Sequence, residues 1–322
     1  MPLTPLDDIY RERRFPWPAA VLGVLVLAVV LWFVLRPGRG KEDGEAAGPA
    51  TNAVAGAVAA AVGPAASVPS APAVPGDLSE EDFKKALAEA KALDDQGKLY
   101  DEREVLLAAL AKAGSDFAPA LERTLGALST RIYLEPRPGP DKVEYVVKGG
   151  DALSAIASRF VCPKELIMEA NGIKDPTKIR PGQRLVFPDH PAFAVRVSKS
   201  LNTLELTLGG KFFKKYVVGT GQNAKTPAGT FVVKDKIEHP DWWSESGKVI
   251  PYGDPANVLG THWLALEATG ETPRVSGYGI HGTWDDTTIG KQSSAGCIRM
   301  RNEDVADLFV LLPRQTPVVI EP

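Results

Sequence analysis

The chain has 322 residues, 44% of them hydrophobic, and a formal net charge of −3 from 37 Lys and Arg against 40 Asp and Glu. That is room for more than one domain with ordinary cores, and the absence of any basic run or basic segment argues against general nucleic-acid binding. The two cysteines, Cys162 and Cys297, lack the paired spacing of zinc or redox motifs. A disulfide between them is disfavoured because they fall in what read as two separate modules.

Residues 1–18 form a short polar tail with Arg11, Arg13 and Arg14 ahead of Phe15 and Trp17. Residues 19–35 are uncharged and apolar; as a helix they would span about 26 Å, slightly short of a hydrocarbon core of about 30 Å, with Trp17 and Trp32 near the interfaces. A cleaved signal peptide is the competing reading. Against it, Arg36, Pro37, Gly38 and Arg39 follow directly, with no small-x-small site close by, so a retained single-pass transmembrane helix is expected. Arg36, Arg39 and Lys41 balance the arginines before the run, so charge leaves its orientation open. Residues 36–76 are rich in Ala, Pro and Gly and too poor in large apolar side chains to offset their ordering entropy, which predicts a disordered linker.

Residues 77–135 read as an α-helical spacer. Ser79 and Asp82 resemble a capping box ahead of Phe83, Ala86, Leu87 and Ala90 at helical spacing. Gly97 ends that helix, a second carries Leu99, Leu106, Leu107 and Leu110, and a third carries Leu121, Leu125, Leu128 and Ile132. The Ala-rich pattern faintly resembles a tetratricopeptide unit, which would imply a protein partner at this spacer.

Residues 143–188 predict strand, helix, helix, strand. Tyr145 and Val147 alternate, Asp151 is placed to cap a helix holding Leu153, Ile156 and Phe160, and Pro163 opens a second helix ending at Asn171-Gly172. With Gly150-Asp151-x-Leu153 and Pro181-Gly182-Gln183-x-Leu185, this stretch resembles a lysin motif (LysM) domain, a small α+β module (βααβ) that binds glycans containing N-acetylglucosamine. The resemblance implies a groove formed by Gly150, Asp151, Ala152, Leu153, Ile179 and Gly182. Ala152 stands where the family usually has threonine, which would weaken sugar hydrogen bonding.

From 190 to 322 the chain turns to strands, predicted at 193–197, 203–208, 212–218, 229–233, 261–266 and 317–320, with Gly209-Gly210 closing a hairpin and a helix over 302–312. Within it lie His281-Gly282-Thr283 and Ser293-Ser294-Ala295-Gly296-Cys297-Ile298-Arg299. A cysteine attacks as thiolate and needs a base or a positive field to ionise near neutrality, and His281 is the candidate base. Gly296 leaves room for a substrate carbonyl, and the N–H groups of Gly296 and Cys297 are candidate oxyanion donors. A zinc site of His262, His281 and Cys297 is the competing reading, but no zincin spacing is present, so no metal and no cofactor are expected.

The order of histidine, glycine, cysteine and arginine resembles the signature of the L,D-transpeptidases, the YkuD-type cysteine acyltransferases of bacterial cell walls. Val218-Gly219-Thr220-Gly221 and the stretch 226–231, which begins Thr226-Pro227, look like the same family. The resemblance implies a β-rich catalytic domain in which Cys297 and His281 are catalytic. It gives supporting roles to Gly296, Ser294, Gly282 and Thr283, and makes Arg299 a binder of a stem carboxylate or a brace for the site, with a plain ion pair to Asp304 as the alternative. Ala295 stands where many members carry His or Arg, so any help from that side chain is missing. The long loop with Trp242, Trp243 and Tyr252 suits a lid that binds substrate. Partners implied are peptidoglycan stem peptides and glycan strands, with the membrane reached through the N-terminal helix. The location implied is the cell membrane, with the catalytic domain on the periplasmic or extracytoplasmic side. The same acyl-enzyme with water as acceptor would be an L,D-carboxypeptidase or amidase, and a non-catalytic wall anchor is the alternative of another class.

Overall fold

The computed structural model describes residues 76–222, 225–244, 246–274 and 277–322. The expected anchor at 19–35 and the linker at 36–76 lie outside the described residues apart from Gly76, and among the described residues no helix is long and apolar enough to cross a membrane.

Helix α1 (Glu80–Asp95) starts where the Ser79 hydroxyl accepts the Asp82 N–H at 3.1 Å, which satisfies one of the donors a helix start leaves open. Gly97, at φ +70°, turns the chain into α2 (Leu99–Leu110), and α3 (Ala118–Leu134) follows with proline in its first turn. The expectation of a spacer needs correction, because α3 packs directly on a strand of the C-terminal sheet. The Tyr133 ring lies 5.8 Å from Phe193 and 5.3 Å from Phe213. Outside this cluster, Lys215 pairs with Glu122 at 2.7 Å and Lys211 with Glu104 at 3.0 Å. Leu121, Leu125 and Tyr133 are fully buried and belong to a core continuous with that of the sheet, each contributing roughly 1.5–3 kcal/mol from burial.

Strands β1 (Lys142–Val146) and β2 (Arg184–Pro188) pair antiparallel, with Tyr145 opposite Leu185, and enclose α4 (Leu153–Arg159) and α5 (Lys164–Ala170). Asn171 ties the module together. Its amide donates to the carbonyls of Ile167 and Val186 at 2.8 and 2.9 Å and accepts the Val186 N–H at 2.8 Å. Asp151 does not cap α4. The cap position is Ala152, which makes no side-chain cap bond, and the Asp151 carboxylate turns back to accept the Lys148 N–H and the Tyr145 hydroxyl, both at 2.8 Å. Those two donors hold its carboxyl below the usual range.

The C-terminal part contains β3 (Phe193–Ser198), β4 (Thr203–Leu208), β5 (Lys211–Val217), β6 (Thr220–Gly221), β7 (Gly229–Glu238), β8 (Trp242–Trp243), β9 (Val249–Ile250), β10 (His262–Ala268), β11 (Gly279–His281), β12 (Gln292–Ser294), β13 (Ile298–Arg299), helix α6 (Asn302–Leu311) and β14 (Pro317–Glu321). Eight strands form one sheet in the order β13-β11-β10-β7-β14-β3-β4-β5. It is antiparallel except at β11/β13 and β14/β3. β7 runs five residues beyond the predicted end at Val233, because its charged second half pairs with β10 as far as Glu238 opposite His262. Gly209 and Gly210, at φ +56° and +77°, make the β4–β5 turn.

Helix α6 lies over β10 and β11 and also meets α5 of the βααβ module. At that junction the Lys236 amine is almost buried. It donates to the Leu312 carbonyl at 2.9 Å, faces Glu165 at 3.5 Å and sits 4.6 Å above the Phe309 ring. Burial pulls it down to about 8 despite Glu165. Cys162 and Cys297 are both free thiols, and burial pushes the Cys162 thiol far up.

Candidate active site

The parallel pairing of β11 with β13 sets His281 opposite Arg299 and Ile280 opposite Ile298. Cys297, the residue just before β13, is thereby carried to the edge of the sheet beside β11. Its thiol donates to the Gly277 carbonyl at 3.6 Å and receives the Gly279 N–H. Burial pushes the thiol up, while the Gly279 N–H and the charge of Arg299 oppose that shift.

The loop holding Cys297 is bound from within. Ser294 Oγ donates to the Cys297 carbonyl at 2.6 Å and accepts the Gly296 N–H at 3.1 Å. This corrects the expectation for Gly296, whose N–H is taken by Ser294 and is not free for an oxyanion. The Cys297 N–H makes no hydrogen bond among the described residues. Gly296 sits at φ +143°, and a Cβ there would stand 2.8 Å from the Tyr278 ring, so glycine is required twice over.

His281 is buried, and its Nδ1 lies 2.6 Å from the Gly282 carbonyl. A carbonyl only accepts, so Nδ1 carries the proton and Nε2 of the neutral ring is the basic nitrogen. Burial lowers the imidazole to about 4; the carbonyls of Gly282 and Leu259 resist the shift and the Arg299 charge adds to it. Gly282 is itself forced, since a Cβ there would stand 2.2 Å from Asn302 Oδ1. Thr283 is buried and its hydroxyl accepts the Asp285 N–H at 3.1 Å, shaping the turn after the histidine. Arg299 forms no ion pair among the described residues, with Asp304 included, and its Nε is buried without a hydrogen-bond partner. An unpartnered buried guanidinium nitrogen is a ready site for an anion.

A cleft of about 580 Å³ opens beside Gly277, whose carbonyl the thiol meets, although neither Cys297 nor His281 is among its lining residues. Gly277 and Tyr278, which touch the cysteine loop, form part of its wall together with Trp263, Arg274, Lys234 and Glu267. Trp242, Trp243 and Tyr252 are not among its lining residues. Trp242 and Trp243 form β8, paired with β9, and Trp243 is 72% exposed. Tyr252 stacks between His239, 4.2 Å away, and Trp284, 6.3 Å away, so this aromatic row meets the chain three residues after His281. His262 packs its ring 4.6 Å from Phe309, and among the described residues no group of three His, Cys, Asp or Glu is placed to hold a metal ion.

In the βααβ module, Gly150 and Gly182 sit at φ +87° and +85° with open space where a Cβ would be. Their loops therefore face solvent, flanked by Asp151 and Ala152. Ile179 is half-buried against the core. Leu153 departs from the expected groove: at 1% exposure its side chain is core.

Two residues escaped the reading of site residues. Asn302 Oδ1 accepts the Thr261 N–H at 3.0 Å and lies against Gly260 and Gly282. Thr226 is buried, and its hydroxyl donates to the Gly296 carbonyl and accepts the Gly221 N–H, both at 2.7 Å. Neither contact has a local sequence signal, because each spans 41 or 70 positions.

The profile of the L,D-transpeptidase catalytic domain matches residues 192–320, and that of the LysM domain matches residues 145–188. The chain is similar to a Bacillus licheniformis protein named as L,D-transpeptidase YkuD, 32% identical over 184 residues, 55% of this chain and 98% of that one. Its Bacillus subtilis namesake is 32% identical over 182 residues, 55% of this chain and 97% of that one. A second Bacillus subtilis protein, named as L,D-transpeptidase YqjB, is 40% identical over 127 residues, 39% of this chain and 69% of that one.

Proposed function

The chain belongs to the L,D-transpeptidase family, and from that premise we propose that it joins peptidoglycan stem peptides through a thioester on Cys297. The observation that supports this reading most directly is the fixed tautomer of His281, whose Nδ1–H is held by Gly282 and whose Nε2 is left basic. Cys297 Sγ attacks the carbonyl between the third residue of a tetrapeptide stem and its terminal D-alanine. Nε2 takes the thiol proton as the sulfur–carbon bond forms and gives it to the departing amine, so that D-alanine leaves. An amine of a second stem then attacks the thioester; its proton passes through His281 to the sulfur, and a crosslink or attachment remains.

The Cys297 N–H would hold the oxyanion of each tetrahedral intermediate, a donor whose loss typically costs about 10²–10³ in rate. Arg299 would pair with an anionic group of the stem or brace the site. The open loops around Gly150, Asp151, Ala152 and Gly182 would engage the glycan, and Trp242, Trp243 and Tyr252 would guide the peptide. Residues 19–35 would anchor the chain in the cell membrane with the catalytic part on the periplasmic or extracytoplasmic side.

The test is to incubate the full chain with a tetrapeptide stem and follow its mass. An adduct equal to the stem less D-alanine, present on wild type and missing from Cys297→Ser, is the expected result. D-alanine release that survives Cys297→Ser would overturn the mechanism.

A further inference from the structure

We infer that Thr226 is a positioning residue for the oxyanion donor, acting through the peptide unit that joins Gly296 to Cys297. The inference rests on the thioester reading above. Four backbone polar groups belong to Gly296 and Cys297, and three of them are tied. Gly296 N–H and the Cys297 carbonyl both bond Ser294 Oγ, and the Gly296 carbonyl bonds Thr226 Oγ1 at 2.7 Å. The fourth is the Cys297 N–H.

The Gly296 carbonyl and the Cys297 N–H share one planar trans peptide, in which C=O and N–H point in opposite directions. The described chain contains no cis peptide bond. Holding the carbonyl on Thr226 therefore aims the N–H away from Thr226. Without that bond the peptide can rotate about its flanking single bonds, and glycine at Gly296 offers little resistance to such rotation.

Thr226 is itself well anchored. Its side chain is 1% exposed, and its oxygen accepts the Gly221 N–H from β6, which lies parallel to β12 with Gly221 opposite Ser294. A Cβ on Gly221 would stand 2.6 Å from Thr226 N and 3.1 Å from Gly296 Cα, so the backbones of all three segments meet with no room for a side chain. One hydroxyl thus serves as donor to the cysteine loop and acceptor from a neighbouring strand. That pairing fixes the direction of its proton, since the lone pair facing Gly221 cannot also donate.

A residue that aims an oxyanion donor should matter only for reactions that generate an oxyanion. The test compares acylation of the full chain, by tetrapeptide stem and by p-nitrophenyl acetate, with alkylation by iodoacetamide, a displacement at carbon that forms no oxyanion. Thr226→Val should slow acylation by both acyl donors about 10- to 100-fold with little change in KM, and leave alkylation within about twofold. Thr226→Ser, which keeps the hydroxyl, should restore most of the acylation rate. If the valine variant is not recovered folded, Thr226→Ala is measured in the same way.

Equal losses of acylation and alkylation would overturn the inference, as would wild-type acylation in the valine or alanine variant or failure of Thr226→Ser to recover. Wild type that reacts with p-nitrophenyl acetate but not with the stem would instead overturn the proposed substrate, and the ester would still decide the role of Thr226.

Discussion

The indole of Trp263 lies 5.7 Å from the imidazole of His281, with the ring planes only 24° apart. The two residues face each other across the β10–β11 pair, so the aromatic ring helps keep water from the base. A buried imidazole loses the hydration its charged form requires, which is the main cause of its fall to about 4. The thiol, raised by burial, is also neutral at rest. On the thioester reading proposed above, the resting pair is thiol and imidazole, and the proton would move only as the carbonyl is attacked.

That resting state has a pH signature. Acylation needs neutral His281, which persists down to its lowered value, so the acidic limb of kcat/KM should fall near pH 4 to 5 and not near 6.5. Trp263→Ala, by admitting water, should move that limb upward. Iodoacetamide at pH 7 should alkylate Cys297 more slowly than a free cysteine does. An acidic limb at 6.5 in wild type would contradict the buried neutral base.

Ser294→Ala removes both bonds that bind the cysteine loop to itself. A Gly296 N–H left buried without an acceptor costs about 1–3 kcal/mol. Thermal or denaturant unfolding should register that loss, and acylation should drop by about 10²-fold as the loop loosens. An unchanged rate would mean that Thr226 alone holds the loop.

Gly296→Ala places a methyl group 2.8 Å from the Tyr278 ring at a φ of +143°. Steric and backbone strain together should lower stability by about 2–4 kcal/mol. Tyr278→Ala in the same chain should return the steric part and leave the backbone part, which a double-mutant cycle separates.

The proposed sugar-binding role of this loop is tested by Asp151→Ala, which frees the loop held by the Lys148 N–H and the Tyr145 hydroxyl. Sedimentation with insoluble sacculi should fall several-fold while acylation by a soluble stem stays the same. Deleting 143–188 outright is a poor substitute. It would remove α5, uncover the faces of α3 and α6 that pack on it and strand Lys236 without Glu165, and the truncated chain should lose several degrees of Tm.

Much of the fold was legible because its signals are local. The Ser79 cap, the Gly97 break, the alternation of 203–208 and the Gly209-Gly210 turn each act within a few residues, and the structure contains them. The strands nearest the thiol were not legible: β6 and β13 have two residues and β11 and β12 three, too few to alternate. Asp151 misled because its nearest helix start and its actual partners lie on opposite sides of it. Thr226 and Asn302 were hidden because their contacts join segments 70 and 41 positions apart. In the same way the apolar stripe of α3 announced that it would be buried, but not against which neighbour.

The meeting of Tyr133 with Phe193 and Phe213 turns what reads as a string of modules into a caliper. With α3 wedged on the sheet and α5 against α6, the loops around Gly150 and Gly182 stand at a set span from Cys297. A glycan gripped at those loops would offer the thiol stems at one distance along the strand, so reaction sites should recur with a fixed stride and not at random.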